Sequence, residues 1–143
     1  GEISYNRDSG RPNGLVPTPS GNLKLWVNPT VEGRPPRMKC GAGADIGWGT
    51  GATPSCLSII NAKTGDKVAE LTSAFMEPKA FAFLAVALCW MFADENGAPT
   101  LLAWEQQGPG VPFGGQVLDL GYSNVYYRGD ELPFTTGNKT SEV

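Results

Sequence analysis

Apolar and polar positions alternate in short runs from residue 39 onward, and glycines and prolines punctuate the runs. Lys39–Ile46 is a run of apolar and small residues closed by Asp45, which predicts a central strand, and Gly47-Trp48-Gly49-Thr50-Gly51 breaks it. Cys56, Leu57, Ile59 and Ile60 predict a second strand, and Gly65 marks the turn after it. Lys67–Ser73 alternates around Val68, Ala69 and Leu71 and predicts a third strand, paired with the second. Glu77-Pro78 opens a helix reaching about Asp94, with proline in the first turn, where its missing N–H is harmless. Phe81, Phe83, Leu84, Val86, Leu88, Trp90, Met91 and Phe92 cover nearly every face of this helix, so it must be enclosed on several sides. Asn96-Gly97-Ala98-Pro99 ends it. Thr100–Glu105 predicts a fourth strand, Val111–Leu120 a second helix and Asn124–Tyr127 a fifth strand.

The order β-β-β-α-β-α-β, with a meander first and α/β units after it, is that of an α/β ribonuclease H-like fold on a mixed central sheet. Three segments follow from the pattern. Residues 1–38 hold six glycine or proline positions between Gly10 and Gly21 alone, too many for a regular helix. They predict an extended basic arm with one strand-like piece at Leu23–Val27. Residues 39–128 form the ribonuclease H-like core, and 129–143 a polar tail leading to a missing C-terminal part. Charge is divided along the same line. Through residue 44 there are six basic and three acidic residues, +3, and the remainder has five basic against eleven acidic, −6.

Composition removes whole classes of chemistry. The 143 residues contain no histidine, which excludes Ser-His-Asp and Cys-His nucleophile systems, His-ligated zinc and an imidazole base. Carboxylates remain, with metal ions or a bound nucleotide. A net charge of −3 argues against a general polyanion-binding domain, and 41% hydrophobic with 17% charged residues indicates a globular chain. Cys40, Cys56 and Cys89 form no CxxC pair and lie in apolar surroundings, as reduced buried thiols of a cytosolic protein would. The longest apolar run, Ala80 to Phe92, is too short to span a bilayer, so no membrane partner is expected. The first residue is Gly rather than Met, without a signal segment after it, which predicts a piece of a longer protein.

Two acids stand out by position. Asp45 is the acid of an otherwise apolar or small strand, and Glu105 closes Leu101-Leu102-Ala103-Trp104-Glu105 just before a glycine-rich turn into the second helix. If the first and fourth strands are sheet neighbours, the two carboxylates meet although sixty residues separate them. Two adjacent carboxylates repel, and divalent cations between them relieve the repulsion. Such a pair suits two Mg²⁺ or Mn²⁺ ions about 3.5–4 Å apart. The plainer reading of each acid is a solvated strand end or a cap for the next turn. Gly47–Gly51 is more simply a bend than a ligand cradle. Trp48, Trp90 and Trp104 read as core or loop anchors, and Tyr122, Tyr126 and Tyr127 leave both core and binding roles open.

Longer stretches carry a family resemblance. Gly43-Ala44-Asp45-Ile46-Gly47-Trp48-Gly49 followed by Pro54-Ser55-Cys56-Leu57-Ser58-Ile59-Ile60 resembles the first two strands of the C-terminal nuclease domain of tailed-bacteriophage (or prophage) terminase large subunits. Glu105-Gln106-Gln107-Gly108-Pro109-Gly110 and Leu120-Gly121-Tyr122-Ser123-Asn124-Val125-Tyr126 are similar to a later segment of that family. Gly21-Asn22-Leu23-Lys24-Leu25-Trp26 is similar to its lead-in, and Thr135-Thr136-Gly137-Asn138-Lys139-Thr140 to its stretch after the fifth strand. Together these span about residues 21–140. The resemblance implies a metal-dependent endonuclease that cuts concatemeric double-stranded DNA during packaging in the cytoplasm of the bacterial host. Asp45 and Glu105 then match two metal-binding acids. The third acid, an Asp well beyond the fifth strand, has no match before Val143, since Asp130 and Glu131 come too early. Implied partners are DNA, an N-terminal ATPase domain of the same full-length protein, the small terminase subunit and the portal protein, with the basic arm or a partner supplying phosphate contacts.

Two other readings share the fold. The nucleotide-binding lobe of a sugar-kinase/actin/Hsp70-like ATPase has the same opening topology and a phosphate turn that Asp45-Ile46-Gly47 fits. A non-catalytic interaction domain would use the arm to dock a partner and would bind no metal at the two acids.

Overall fold

The computed structural model describes residues 1–16, 18 and 21–128. The predicted tail, 129–143, lies outside the described residues, as do Asp130, Glu131 and the Thr135–Thr140 stretch. The described residues form eight strands and two helices: β1 (Glu2–Tyr5), β2 (Pro12–Val16), β3 (Leu23–Leu25), β4 (Cys40–Asp45), β5 (Ser55–Asn61), β6 (Lys67–Ser73), α1 (Pro78–Met91), β7 (Leu101–Glu105), α2 (Gly110–Asp119) and β8 (Val125–Arg128). Chain order from β4 onward is β-β-β-α-β-α-β.

Six strands make one mixed sheet in the order β3-β6-β5-β4-β7-β8. β4, β5 and β6 are an antiparallel meander, while β4–β7 and β7–β8 run parallel. A parallel partner cannot be reached by a hairpin, so α1 and α2 serve as the crossovers into β7 and β8. β4 therefore sits inside the sheet, with the small residues Gly41, Ala42, Gly43 and Ala44 between two neighbours.

Strand alternation separates two faces. Leu57 and Ile59, Leu102 and Trp104, Val125 and Tyr127 are buried on one face, beneath the helices. α1 brings Phe81, Ala85, Val86 and Leu88 to this core, each fully buried, and α2 brings Phe113 and Val117. Each aromatic side chain so removed from water stabilises the fold by about 2–3 kcal/mol. The Phe81 and Phe113 rings meet at 6.2 Å between centroids, and Trp104 stands edge-on to Phe113 at 5.6 Å. Glu77 caps α1, its carboxylate accepting from the Lys79 N–H at 3.3 Å, and Pro78 begins the helix.

The described residues of the segment 1–38 include three short strands that lie against this body. β1 and β2 form a hairpin, with Ile3 opposite Leu15, and Tyr5 stacks on Phe83 of α1 at 5.7 Å. β3 lengthens the sheet beside β6, pairing Leu23 with Leu71 and Leu25 with Ala69. The hairpin is thus the third wall around α1 that its all-round apolar surface requires. The basic residues of this segment are partly engaged here. The Arg11 guanidinium lies 3.6 Å from the centre of the Trp90 ring. Arg34 donates to the Met91 carbonyl at 2.9 Å and Arg37 to the Asp94 carbonyl at 3.2 Å. The Met91 carbonyl ends α1, where backbone acceptors lack helical partners and cations are favoured, and the Asp94 carbonyl lies in the turn that follows.

None of the described helices is long and apolar enough to cross a membrane. Cys40, Cys56 and Cys89 are free thiols, the first and last buried and Cys56 half-buried.

Candidate functional site

The sheet face away from the helices is open. β4 shows Gly43 and Asp45 there, β5 shows Cys56 and Ser58, β7 shows Ala103 and Glu105, and β8 shows Tyr126 and Arg128. The β4–β7 register pairs Gly41 with Leu101, Gly43 with Ala103 and Ala44 with Trp104. One further step sets Asp45 beside Glu105, on the same face and at the same level of adjacent strands roughly 4.8 Å apart. Both side chains are exposed. Asp45 is also opposite Cys56 of β5, and Glu105 is opposite Arg128 of β8. The structure therefore brings together the two acids singled out in the sequence, at the ends where β4 and β7 leave the sheet.

Small side chains make the floor. Gly43, Ala103 and Ser58 leave a shallow groove of about 490 Å³ whose walls include Asp45, Glu105, Tyr126 and Arg128. A second depression of about 360 Å³ lies where Asp45 and Glu105 face the Gln107-Gly108-Pro109-Gly110 turn. Farther across the same face Lys67 and Glu70 form an ion pair at 2.7 Å, and the hydrogen bond between them raises the lysine pKa and lowers that of the glutamate.

Two close backbone approaches fix this corner. A Cβ on Gly110 would overlap the Glu105 carbonyl oxygen, so only glycine lets the start of α2 rest on the end of β7. One helical turn later, a Cβ on Gly114 would lie 2.7 Å from Trp104 Nε1 and 2.8 Å from Trp104 Cζ2, and would overlap Gln106 Oε1. Gln106 is buried, its Oε1 accepts from Trp104 Nε1, and its backbone N–H donates to the Arg128 carbonyl at 2.5 Å. Glu105 thus projects outward from a strand end clamped on its inner side. On the other side, the Gly47 N–H donates to Ser55 Oγ at 2.9 Å, and a Cβ on Gly47 would overlap the Thr53 carbonyl oxygen. The glycine loop after Asp45 is a closed bend, and its Gly47 N–H is directed into the protein.

Both acids offer hard oxygen donors of the kind that Mg²⁺ accepts, and Mg²⁺ commonly uses one or two carboxylates while keeping several waters. Among the described residues no third acidic or thiol side chain joins them into a cluster of three. Sequence reasoning missed Arg128, which it assigned only as the last residue of the core. The outward positions Tyr126 and Arg128, two apart in a strand whose Val125 and Tyr127 are buried, carry the signal that places it on this face. Trp104 and Tyr127 are core residues stacked at 5.1 Å, whereas Trp48 and Tyr126 are exposed.

No protein-family model matches the chain, and no curated protein sequence matches it. Solved structures do. The large terminase nuclease from thermophilic phage G20c with bound magnesium superposes with a TM-score of 0.60 at 14% identity, over 86% of this chain and 59% of that one. The same nuclease with bound cobalt gives a TM-score of 0.56 at 14% identity, over 86% of this chain and 58% of that one. The chain thus spans under three-fifths of the length of these neighbours. It has the fold of the large terminase nucleases, a ribonuclease H-like mixed sheet with its helices.

Proposed function

We propose that this chain is the nuclease module of a phage DNA-packaging terminase, hydrolysing phosphodiester bonds of double-stranded DNA, with Asp45 and Glu105 as its metal-binding acids. The observation that carries the reading is the β4–β7 register, in which Ala44 lies beside Trp104 so that the next residues, Asp45 and Glu105, line one open groove, in a fold shared with terminase nucleases. Residue types and placement fit Mg²⁺ or Mn²⁺, and the neighbours crystallised with magnesium and cobalt agree with divalent metal use. A cation pair there would supply charge neutralisation at the phosphate and a water acidic enough to attack it.

The protein's own contribution is placement. Asp45 and Glu105 project from strand ends held by β5 and by the contact of Gly110 with β7, so their separation is set by sheet spacing rather than by loop conformation. The floor of Gly43, Ala103 and Ser58 lets a backbone phosphate approach the acids without a side chain in the way. Further ligand oxygens come from water, substrate and a third acid that the described residues do not contain. In the full-length protein the partners on this reading are DNA, an ATPase motor domain, the small subunit and the portal, in the host cytoplasm. The nucleotide-binding alternative needs a backbone amide of the Asp45-Ile46-Gly47 turn for phosphate, and the Gly47 N–H is already bonded to Ser55, which argues against it.

The test pairs binding with cleavage. Calorimetric titration with Mn²⁺ should show saturable binding that Asp45→Asn and Glu105→Gln each weaken at least tenfold. Mn²⁺-dependent nicking of supercoiled plasmid by the full-length protein should fall by a factor of 100 or more in the same variants. Binding or nicking unchanged in Asp45→Asn overturns the assignment.

A further inference from the structure

We propose that Arg128 is the phosphate-binding residue of this site, holding a DNA backbone phosphate beside the acid pair; the inference rests on the metal-nuclease reading above. Three observations lead to it. First, Arg128 pairs directly with Glu105 across β7–β8 and is exposed on the same open face, lining one groove with Asp45 and Glu105. Its backbone is fixed by the bond from the Gln106 N–H to its carbonyl, so the side chain starts from a defined point one strand, roughly 4.8 Å, from the acid.

Second, Arg128 makes no ion pair among the described residues, although a carboxylate stands on the neighbouring strand. A guanidinium that close to Glu105 and unpaired with it is disposed to take a ligand's oxygens, and its planar fork matches two oxygens of one phosphate. The other cations of this face, Lys24 and Lys67, lie on β3 and β6, on the far side of β4 and β5, where Lys67 is paired with Glu70.

Third, the nearest backbone alternative is spent. An α-helix start beside the acids would ordinarily offer amides to an anion. Here Pro109 and Pro112 have no N–H, the Gly110 N–H donates to the Gln107 carbonyl at 2.9 Å, and the Val111 N–H donates to the Gly108 carbonyl at 3.1 Å. The Phe113 N–H donates to the Pro109 carbonyl at 3.4 Å. The first turn of α2 therefore holds no open amide for a phosphate. A protein contact to the phosphate at this corner has to come from a side chain, and Arg128 is the cation in position.

The whole chain is tested with a fluorescein-labelled 20-base-pair duplex, whose binding is followed by anisotropy in Ca²⁺, which supports binding without turnover. Arg128→Gln should weaken binding about tenfold and reduce the slope of log Kd against log salt by about one, as loss of one phosphate contact does. Arg128→Lys should recover part of the affinity and the full salt slope, a rescue that a merely structural role would not give. Mn²⁺ affinity of Arg128→Gln should stay within twofold of the parent. DNA affinity and salt slope unchanged in Arg128→Gln, with Mn²⁺ bound and lost in Asp45→Asn, would overturn the arginine assignment and leave the nuclease reading standing. Absence of Mn²⁺ binding in the parent would overturn both. Loss of Mn²⁺ affinity in Arg128→Gln beyond fivefold would also overturn the assignment, because the arginine would then be supporting the metal site.

Discussion

Two adjacent glycines of α2 should respond in opposite ways to the same substitution. Gly114 and Gly115 both lie inside the helix, so replacing either by alanine gains about 1 kcal/mol of helix propensity. A Cβ at 115 meets nothing within 4 Å. At 114 it meets the Trp104 ring at 2.7–2.8 Å and overlaps Gln106 Oε1, the acceptor of the Trp104 indole N–H. Trp104 is wedged between Phe113 and Tyr127 and cannot retreat. Overpacking of this kind costs about 1–3 kcal/mol, and a weakened buried hydrogen bond about 1 kcal/mol more. The propensity gain cancels between the two variants, so their difference isolates the contact, at about 2–4 kcal/mol. For a chain of this length that is roughly 6–12 °C in melting temperature, at about 3 °C per kcal/mol. Thermal unfolding followed by circular dichroism, with urea midpoints as a check, measures it. Gly115→Ala should melt above the parent and Gly114→Ala below it. A Gly114→Ala protein melting at or above Gly115→Ala would refute the close approach of α2 to β7, and with it the account of how Glu105 is held.

Phe113→Ala removes a fully buried ring that touches both Phe81 and Trp104, and should cost about 3–5 kcal/mol in urea unfolding; a loss under 1 kcal/mol would show that α2 is not seated on the core as described. Burial pushes the Cys40 thiol up to about 11 and the Cys89 thiol up to about 12, from 9.0. The unfolded chain therefore loses these protons first as pH rises, so the stability they carry is complete below pH 9 and declines from there toward pH 11–12. The slope approaches about 1.4 kcal/mol per pH unit for each thiol. Urea midpoints at pH 7.5, 9.5 and 10.5 should fall, less steeply in Cys40→Ala, and a flat series would contradict the burial.

Much of the fold from residue 39 to 128 was legible because its signals are local. Lys67–Ser73 alternates and is β6 to the residue, and Glu77-Pro78 is a helix start that needs no tertiary help, but α1 ends at Met91 with Phe92 as its C-cap, ahead of the Asn96-Gly97 stop that the pattern predicts. The placement of Asp45 beside Glu105 needed one assumption, that the first and fourth core strands are neighbours. No local pattern encodes it, because parallel pairing depends on where α1 sets the chain down. The hairpin of β1 and β2 was not legible. Glu2–Tyr5 alternates over only four residues, and β2 contains both Pro12 and Gly14, which weaken any strand signal. What selects the strands is an external demand, the uncovered side of α1 that Ile3 and Tyr5 pack against. The arginines at 34 and 37 were readable as charge but not as donors to the end of α1 and to the turn after it, since their acceptors are 57 residues away in sequence.

The parallel contact between β4 and β7 also orders events in time. β4, β5 and β6 close on one another through short turns, and such a meander can form while the rest of the chain is still being made. β7 reaches β4 only after α1 has been completed and laid across the sheet. At synthesis rates of about 5–20 residues per second, Glu105 follows Asp45 by roughly 3–12 seconds. A nascent chain of this protein therefore carries one acid alone during that interval, and the two-acid corner is assembled late, after the chain that encloses it has been made.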